Sequence, residues 1–311
     1  MKIIFFGTPD FAIPSIKKLI ESEHDLLAVV TNPDKKSGRG LKSKPSPVKS
    51  FCIAENINCI SYLDFSDKET YNSLKEMDPD LFVVVAFQIL PEKIINIPKY
   101  GSINIHPSLL PKYRGSSPIQ YSILNGDKET GLTVFRLNKE IDSGNVIIQK
   151  KHPIDDEIIF SELYNELSVF GADLLIESIE LIDKGEALYT PQKSLDSATY
   201  AKKIKSKDCL IDWGLSSEKI YNKIRAFSKV PGAFTYFNDK KVKILKSRIY
   251  KEYPGILNQG SGISYKGSFL VGTKDLPIQI SLLQIEGKKI VEGKDFINSN
   301  LFSNGKNINF G

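Results

Sequence analysis

The amino-acid sequence predicts an α/β protein in which an open, twisted, mainly parallel sheet precedes a small C-terminal β-barrel of the OB type. Apolar runs alternate with helical patterns over the first 190 residues, and LFVVVAF at 81–87 has the composition of a strand buried on both faces. Beyond residue 230, turns rich in Gly, Asn and Lys separate short strands. Alternation of strand and helix favours parallel pairing, whereas closely spaced strands favour an antiparallel barrel.

The elements of the parallel sheet follow one another along the first half of the chain. Strands are predicted where short apolar runs occur, at 2–6, 26–31, 58–60, 81–87 and 102–106, in TGLTVFRL and in NVIIQKKHPI. Helices are predicted where apolar residues recur with helical spacing, at 14–20, 47–55, 68–75 and 161–182. Because crossovers between parallel strands are right-handed, such helices would cover both faces of the sheet.

The composition and periodicity of the sequence change after Gly185. The stretch LYTPQKSLDSATYAKKI is polar and has no clean period, so residues 191–207 are predicted to be a linker. This divides the chain into a catalytic domain at 1–190 and a basic barrel domain at 208–311. The second domain would begin with IDWG and one helix, followed by the strands AFTYF, KVKILKSRIY, GSFLV and PIQISLLQI.

Composition excludes several classes of protein. With 41% hydrophobic and 25% charged residues the chain is typical of globular domains, and no apolar run reaches the roughly 18 to 20 residues that a membrane-spanning helix needs. Its three cysteines, Cys52, Cys59 and Cys209, lack the spacing of a zinc site or a disulfide framework. We therefore expect a cytoplasmic protein without a metal.

Charge is divided unequally along the chain. Positions 205–311 hold 18 lysines and arginines against 9 acidic residues, a net of +9, whereas positions 1–204 have a net of −4. A basic second part indicates a polyanionic partner. The alternative is a lysine-rich solvated surface with no such partner.

One strand ends on two polar residues. In SINIH, Asn104 and His106 are two positions apart, so both side chains project from the same face at the carboxyl end of the strand. Open α/β sheets bind ligands at that edge. An amide can donate to a developing oxyanion and an imidazole can carry a proton, so the pair is a candidate catalytic site. On this spacing alone, a polar strand end with a surface histidine is the favoured alternative.

The residues around this pair carry a resemblance. NIHPSLLP at 104–111, followed by YRG at 113–115 and SPIQ at 117–120, resembles the signature of the formyltransferases that use 10-formyltetrahydrofolate as co-substrate. The resemblance implies a Rossmann-like catalytic domain, without metal, in which Asn104 and His106 are catalytic. It also implies a third catalytic residue, Asp142, in the stretch DSG. The folate pocket would be lined by Ser108, Leu109, Leu110, Pro111, Phe87, Ile89 and Leu90.

A second resemblance concerns the acceptor. Residues 32–49, NPDKKSGRGLKSKPSPVK, hold six cations and one acid, and they resemble the insertion of family members that formylate initiator methionyl-tRNA. FFGTPDFA at 5–12 and the basic stretch after IDWG resemble the same members. The implied partner is initiator methionyl-tRNA, bound by an enzyme acting as a monomer. The implied tRNA-binding residues are Arg39, Lys35, Lys36, Lys42, Lys44, Lys241, Lys243 and Lys246.

The sequence departs from the family pattern at two places. VVVAFQILPE is one residue shorter than usual where it borders the folate pocket, and Val230 stands where the family has a tryptophan. Two alternatives stay open: a folate-dependent enzyme whose acceptor is an amino-sugar nucleotide or glycinamide ribonucleotide, and an inactive tRNA-binding relative. The basic insertion and the +9 second part favour the tRNA acceptor over the first alternative, and the intact Asn104, His106 and Asp142 set disfavours the second.

Overall fold

The chain folds into two compact units. In the computed structural model, the described residues are 1–37, 42–192, 197–298 and 308–310, and the side chains at 35–37 and 42–43 are outside that description. The N-terminal unit comprises residues 1–118, 130–153 and 164–201. The C-terminal unit comprises residues 119–129, 154–163 and 202–311.

The first two-thirds of the chain contains both predicted and unpredicted elements. Its strands are β1 (Lys2–Gly7), β2 (Asp25–Val30), β3 (Lys35–Ser37), β4 (Lys42–Lys44), β5 (Cys59–Ile60), β6 (Leu81–Val85), β7 (Ser102–His106), β8 (Arg114–Gly115), β9 (Glu129–Arg136), β10 (Val146–Pro153) and β11 (Tyr200–Ala201). Its α-helices are α1 (Ile13–Ile20), α2 (Pro47–Ala54), α3 (Lys68–Glu76), α4 (Glu92–Ile95), α5 (Pro118–Leu124) and α6 (Phe160–Asp183). The strands and helices predicted here are confirmed with ends within two residues, and the sequence reading missed β3, β4, β8, β11, α4 and α5.

The N-terminal unit is built on a seven-stranded sheet with the order β10-β9-β7-β6-β1-β2-β5. All pairings from β7 through β6, β1 and β2 to β5 are parallel, and β7 pairs antiparallel with β9. Strands that come later in the chain are added first on one side of β1, beginning with β2, and then on its other side, beginning with β6. The direction of strand addition therefore reverses at β1. Ligands of open α/β sheets bind outside the carboxyl ends of the strands at such a point.

Local sequence explains why the covering helices begin where they do. Ser46 caps α2 by accepting a hydrogen bond from the backbone of Lys49, and a proline occupies the first position of that helix. Asp67 caps α3 in the same way through the backbone of Thr70. Beneath the helices, the rings of Phe6 and Phe82 meet edge to face with centroids 4.9 Å apart, which fixes β1 against β6.

The C-terminal unit has an antiparallel sheet of its own. After a 3₁₀ helix at Ser206–Cys209, its elements are α7 (Ser217–Phe227), β12 (Ala233–Phe237), β13 (Lys240–Ile249), β14 (Ser261–Tyr265), β15 (Ser268–Val271), β16 (Ile278–Ile285), β17 (Ile290–Glu292), α8 (Gly293–Ile297) and β18 (Ile308–Asn309). The strand order is β12-β13-β16-β15-β14-β18, and β17 pairs with β16.

This sheet curls around an aromatic core. Phe237 lies on one edge strand and Phe310 follows the other, yet their ring centroids are 6.1 Å apart. Trp213 stacks on Phe310 at 5.7 Å and donates its indole hydrogen to Thr235 Oγ1 over 3.1 Å. The predicted fold class, a mainly parallel sheet followed by a small curled antiparallel sheet, is thereby confirmed.

Two segments in which no strand was predicted contain short strands. In the basic segment, Lys35–Ser37 pairs antiparallel with Lys42–Lys44. In the segment 191–207, β11 pairs with β8. Thr190, the residue just before this segment, forms an isolated β-bridge with Val146. The limits of the domains and of the linker remain predictions.

Candidate active site

Asn104 and His106 lie at the carboxyl end of β7, between β6 and β9. Ile103 and Ile105 point to the opposite face and are fully or almost fully buried, as strand alternation requires. Asn104 is half-buried, whereas His106 is only 5% exposed. A histidine buried to this degree needs partners for both ring nitrogens.

The two ring nitrogens of His106 face two different loops, and Nε2 makes the hydrogen bond. Its Nε2 lies 2.8 Å from the carbonyl oxygen of Tyr113, and because a carbonyl only accepts, Nε2 carries a hydrogen and donates it. Its Nδ1 lies 3.7 Å from Oδ2 of Asp142. The ring is thus oriented by a backbone group on one side and faces a carboxylate on the other.

Asp142 is held in the loop between β9 and β10. Its Oδ2 accepts a hydrogen bond of 2.7 Å from the backbone nitrogen of Gly115. The residue has a positive φ of 49°, a conformation that Asp and Asn tolerate better than most residues. The structure therefore brings Asp142, chosen from the sequence only by resemblance, next to His106.

The loop that carries Asp142 follows a tightly constrained path. At Gly144 a Cβ atom would lie 1.7 Å from the carbonyl oxygen of Arg136, so only glycine fits. Ser143 donates through Oγ to Oδ1 of Asn138 over 2.9 Å, which ties the loop to its own start. The direction of the Asp142 side chain is therefore set by its local backbone.

Gln192 contacts this loop and Arg114 contacts Gln192, and the sequence analysis gave neither residue a role. Nε2 of Gln192 donates to the carbonyl oxygens of Asp142 and Gly144, each over 2.9 Å. Oε1 of the same amide accepts from Nη2 of the buried Arg114 over 2.6 Å. The YRG stretch adjoining the signature could have drawn attention to Arg114, but nothing in the aperiodic segment around Gln192 distinguishes it.

A cavity opens beside these residues. The empty space between its lining residues, including the part open to solvent, is about 520 Å³. Three of the residues predicted to bind folate line it, Phe87, Ile89 and Leu90, together with Asn104 and Asp142. The remaining lining residues are Val84, Gln88, Ile95, Leu137, Asn138, Lys139, Glu140 and Ile141.

The other four residues predicted to bind folate are placed differently. Among the described residues that line the cavity, none belongs to 108–111. Ser108 is fully buried and donates to the carbonyl oxygen of Lys112 over 2.6 Å. The backbone nitrogen of Leu110 donates to Thr133 Oγ1 over 3.2 Å. In this structure, therefore, the turn is fastened to β9, and its role in folate binding remains a prediction.

The predicted tRNA-binding residues fall into two groups. Arg39 lies outside the described residues, as do the side chains of Lys35, Lys36 and Lys42, whereas Lys44 is exposed. On β13, Lys241 and Lys243 are half-buried and Lys246 is exposed.

A register shift between Ile244 and Ser247 changes which side chains of β13 face outward. As a result Lys246 and Arg248 are exposed although they do not follow the alternation set by Lys241 and Lys243. Arg248, an exposed cation on the same strand, is not among the residues predicted from the sequence to bind tRNA.

The described residues offer neither a cluster of metal-ligating side chains nor a membrane-spanning helix. No group of three or more His, Cys, Asp or Glu side chains in the described part of the chain could hold a metal ion. Within the same residues, every helix is too short or too polar to cross a membrane.

Comparisons with known proteins assign the two units to one family. A formyl transferase family model matches residues 1–179, and the formyl transferase C-terminal domain matches residues 203–301. A methionyl-tRNA formyltransferase of Pelotomaculum thermopropionicum is 40% identical over 299 residues, 96% of this chain and 95% of the relative. That of Fusobacterium nucleatum is 40% identical over 312 residues, 99% of this chain and all of the relative.

Solved structures share the fold at lower identity. Methionyl-tRNA formyltransferase from Clostridium thermocellum matches with a TM-score of 0.56 and 18% identity over 81% of this chain and 95% of that one. HypX from Aquifex aeolicus, in complex with tetrahydrofolic acid, gives a TM-score of 0.66 and 18% identity over 98% of this chain. This chain spans about half of HypX, 48% of its length.

The fold and the two matches define the class of protein: the chain belongs to the formyl transferase family and is an enzyme. Within that family it groups with the methionyl-tRNA formyltransferases, to which it is about 40% identical over nearly its whole length.

Proposed function

We propose that the protein transfers the formyl group of 10-formyltetrahydrofolate to the α-amino group of initiator methionyl-tRNA, giving N-formylmethionyl-tRNA. The observation that carries the proposal is that Asn104 and Asp142 line one cavity, with His106 directly behind Asp142. The names of the curated relatives support the acceptor. The tetrahydrofolic acid in the HypX complex supports the donor class.

The cavity suits a flat, largely apolar ring system that ends in a polar group. Ile89 and Ile141, at its edge, are 74% and 54% exposed, so apolar surface there is available to a ligand. Phe87 and Leu90 would hold the ring system, and Asn104 and Asp142 would face its reactive end.

When bound, 10-formyltetrahydrofolate supplies a formyl carbon attached to nitrogen. In the reaction a bond forms between the amine nitrogen and that carbon, and the bond from the carbon to its former nitrogen breaks. One proton leaves the amine and one is gained by the departing nitrogen. The Asn104 amide can donate to the formyl oxygen as negative charge develops there, a contribution typically worth about 10²- to 10³-fold in rate.

His106 and Asp142 can manage the proton. Since Nε2 of His106 donates to the Tyr113 carbonyl, Nδ1 is the ring atom at which a second proton can be held. The Asp142 carboxylate, 3.7 Å away, would stabilise the positively charged ring. Proton transfer by a positioned group of this kind typically contributes about 10²- to 10⁴-fold.

Positive charge on the second unit supports a polyanionic acceptor. On β13 the cations Lys241, Lys243, Lys246 and Arg248 remain at least partly exposed. Lys241 lies 3.7 Å above the ring centre of Phe234, an arrangement that holds the ammonium group in place. Such side chains contact phosphates rather than read bases, which suits a tRNA backbone.

The test is formyl transfer with three acceptors. We expect formylmethionyl-tRNA when the purified protein is given 10-formyltetrahydrofolate and charged initiator tRNA, and no product with deacylated tRNA. An amino-sugar nucleotide serves as the third acceptor. Transfer to the sugar alone would retain the formyl transferase chemistry but overturn the proposed acceptor, and no transfer to any acceptor would overturn the whole proposal.

A further inference from the structure

We propose that Gln192 is a positioning residue for the reaction: its amide holds the Asp142 loop so that the carboxylate faces His106. The inference rests on the proposed function, because it assigns a role within the same site. Gln192 lies after the end of the matched N-terminal family region, at 179, and before the start of the C-terminal one, at 203. Nothing in either matched region therefore accounts for it.

The orientation of the Gln192 amide follows from its neighbours. Arg114 can only donate, and it donates through Nε and Nη2 to Oε1 over 3.2 and 2.6 Å. The carbonyls of Asp142 and Gly144 can only accept, and Nε2 lies 2.9 Å from each. Oxygen toward arginine and nitrogen toward the loop is the one arrangement that satisfies all four contacts.

This arrangement connects the loop to a buried cation through hydrogen bonds. Arg114 is 4% exposed, so its guanidinium acts in surroundings of low polarity. Donation from a cation polarises the amide of Gln192 and makes its N–H groups stronger donors to the two carbonyls. The loop is consequently held by a hydrogen-bond chain that begins at a buried positive charge.

These hydrogen bonds form a closed ring around Asp142. Its side chain accepts from the backbone of Gly115, the residue after Arg114, and its own carbonyl accepts from Gln192. Residues 114–115 thus hold Asp142 in two ways. Gly115 donates to its carboxylate, and Arg114 donates to the Gln192 amide that in turn donates to its backbone carbonyl. Loss of the Gln192 donors would release the backbone side of this ring.

The segment that carries Gln192 is itself fastened to the site. Thr199 accepts from the backbone of Tyr113 through Oγ1 over 2.9 Å, and its carbonyl accepts from the backbone of Arg114 over 2.9 Å. Tyr113 is also the residue whose carbonyl orients His106. We call the described residues 189–192 and 197–201 the strap, because they hold both loops that orient the catalytic pair.

Gln192→Glu separates the two functions of the amide, which accepts from Arg114 through its oxygen and donates to the loop carbonyls through its nitrogen. A glutamate still accepts from Arg114, so the buried cation keeps a partner. Its second oxygen, however, would face the carbonyls of Asp142 and Gly144, where two acceptors repel. We expect kcat for formyl transfer to fall about 10- to 100-fold with little change in KM for 10-formyltetrahydrofolate, because small displacements of catalytic groups have effects of this size.

Two further variants make the test specific. Gln192→Met keeps the side-chain length without any donor and covers the case in which the glutamate variant does not fold. Asn72→Asp adds the same negative charge on the exposed surface of α3 and should leave kcat unchanged. In a double-mutant cycle with Asp142→Asn, the Gln192→Glu change should have no further effect, because the carboxylate it positions is already gone.

The outcomes distinguish the inference from the proposed function. If the wild-type protein transfers formyl and Asp142→Asn is severely impaired, full kcat in both Gln192 variants would overturn the positioning role alone. Equal losses from Gln192→Glu with and without Asp142→Asn would overturn it too, since the residue would then act independently of the carboxylate. Absence of transfer by the wild type would instead sink the proposed function.

Discussion

His106 donates its Nε2 hydrogen to the carbonyl oxygen of Tyr113 over 2.8 Å, and this bond directs Nδ1 toward Asp142. Tyr113 presents that carbonyl from a backbone with a positive φ of 60°. The imidazole is therefore oriented by main chain rather than by another side chain. Nδ1, the nitrogen proposed to hold the second proton, faces the carboxylate because Nε2 is bonded on the opposite side of the ring.

Removal of the imidazole should abolish most of the activity while the fold remains. We expect His106→Ala to lower kcat by about 10²- to 10⁴-fold, the range for loss of a positioned proton-transfer group. His152→Ala is the matched control, because His152 also pairs with a carboxylate, Glu166 over 2.9 Å, but is not among the described residues that line the cavity. Single-turnover formylation of both variants, with circular dichroism as the folding check, decides the matter. Comparable rates in the two would refute the assignment of His106.

The charge of Asp142 and its conformation can be tested separately. Asp142→Asn retains an oxygen that accepts from Gly115 and tolerates the positive φ, so we expect nearly unchanged stability but at least about 100-fold lower kcat. Asp142→Ala removes the acceptor as well and should be less stable by about 1–3 kcal/mol, because the Gly115 donor loses its partner. Urea unfolding and initial rates give both quantities. An active asparagine variant would show that the carboxylate charge has no role.

Cations on β13 should determine how binding of the acceptor depends on salt. If Lys243 and Lys246 each contact one phosphate, replacing both with alanine should reduce the slope of log K against log salt by about 1.4 to 1.8. Lys184→Ala removes an exposed cation from the N-terminal unit and should leave the slope unchanged. Filter binding of initiator tRNA between low and moderate salt measures this. An unaltered slope in the double variant would mean that these lysines face solvent only.

Tyr164 should make stability depend on pH in the alkaline range. Its Oη donates to Oδ1 of Asp10 over 2.6 Å, and burial together with this bond raises the pKa of the phenol. Because the folded state keeps the proton that an unfolded tyrosine loses near pH ~10, the stabilisation is complete below that pH and declines above it.

Tyr164→Phe should therefore lower the free energy of unfolding by about 0.5–1.5 kcal/mol at neutral pH. The variant should also lose less stability than the wild type between neutral pH and pH about 11, since it lacks the ionising group. Denaturant unfolding at a series of pH values tests both statements. Parallel stability curves for the two proteins would rule out Tyr164 as the source.

The sequence predicted those parts of the fold that local pattern determines. The run at 81–87 predicted β6 because a strand buried on both faces has no polar alternation to obscure it. The curled sheet of the C-terminal unit followed from short strands and close turns. The hairpin of β3 and β4 was missed because its lysines and serines resemble a solvated loop, and β8 and β11 because each has only two residues.

The candidate site was predictable only where a motif or a single strand brought its parts together. Asn104 and His106 share a strand face, so their proximity could be read from spacing. Asp142 was found through resemblance alone, because no periodicity connects it to residue 106. Gln192 could not be found, since its partner Arg114 is 78 positions away and only the folded chain brings them together.

The strap also bears on how such enzymes exchange parts during evolution. The region recognised as the N-terminal domain ends at residue 179, but Gln192 and Thr199 lie beyond it. A gene fusion joined at that limit would inherit the sheet and the three proposed catalytic residues without Gln192, the residue proposed to position Asp142. If Gln192 has that role, recombination that preserves activity would have to join the new domain after Ala201, and the connecting segment would be inherited with the catalytic domain rather than as a neutral spacer.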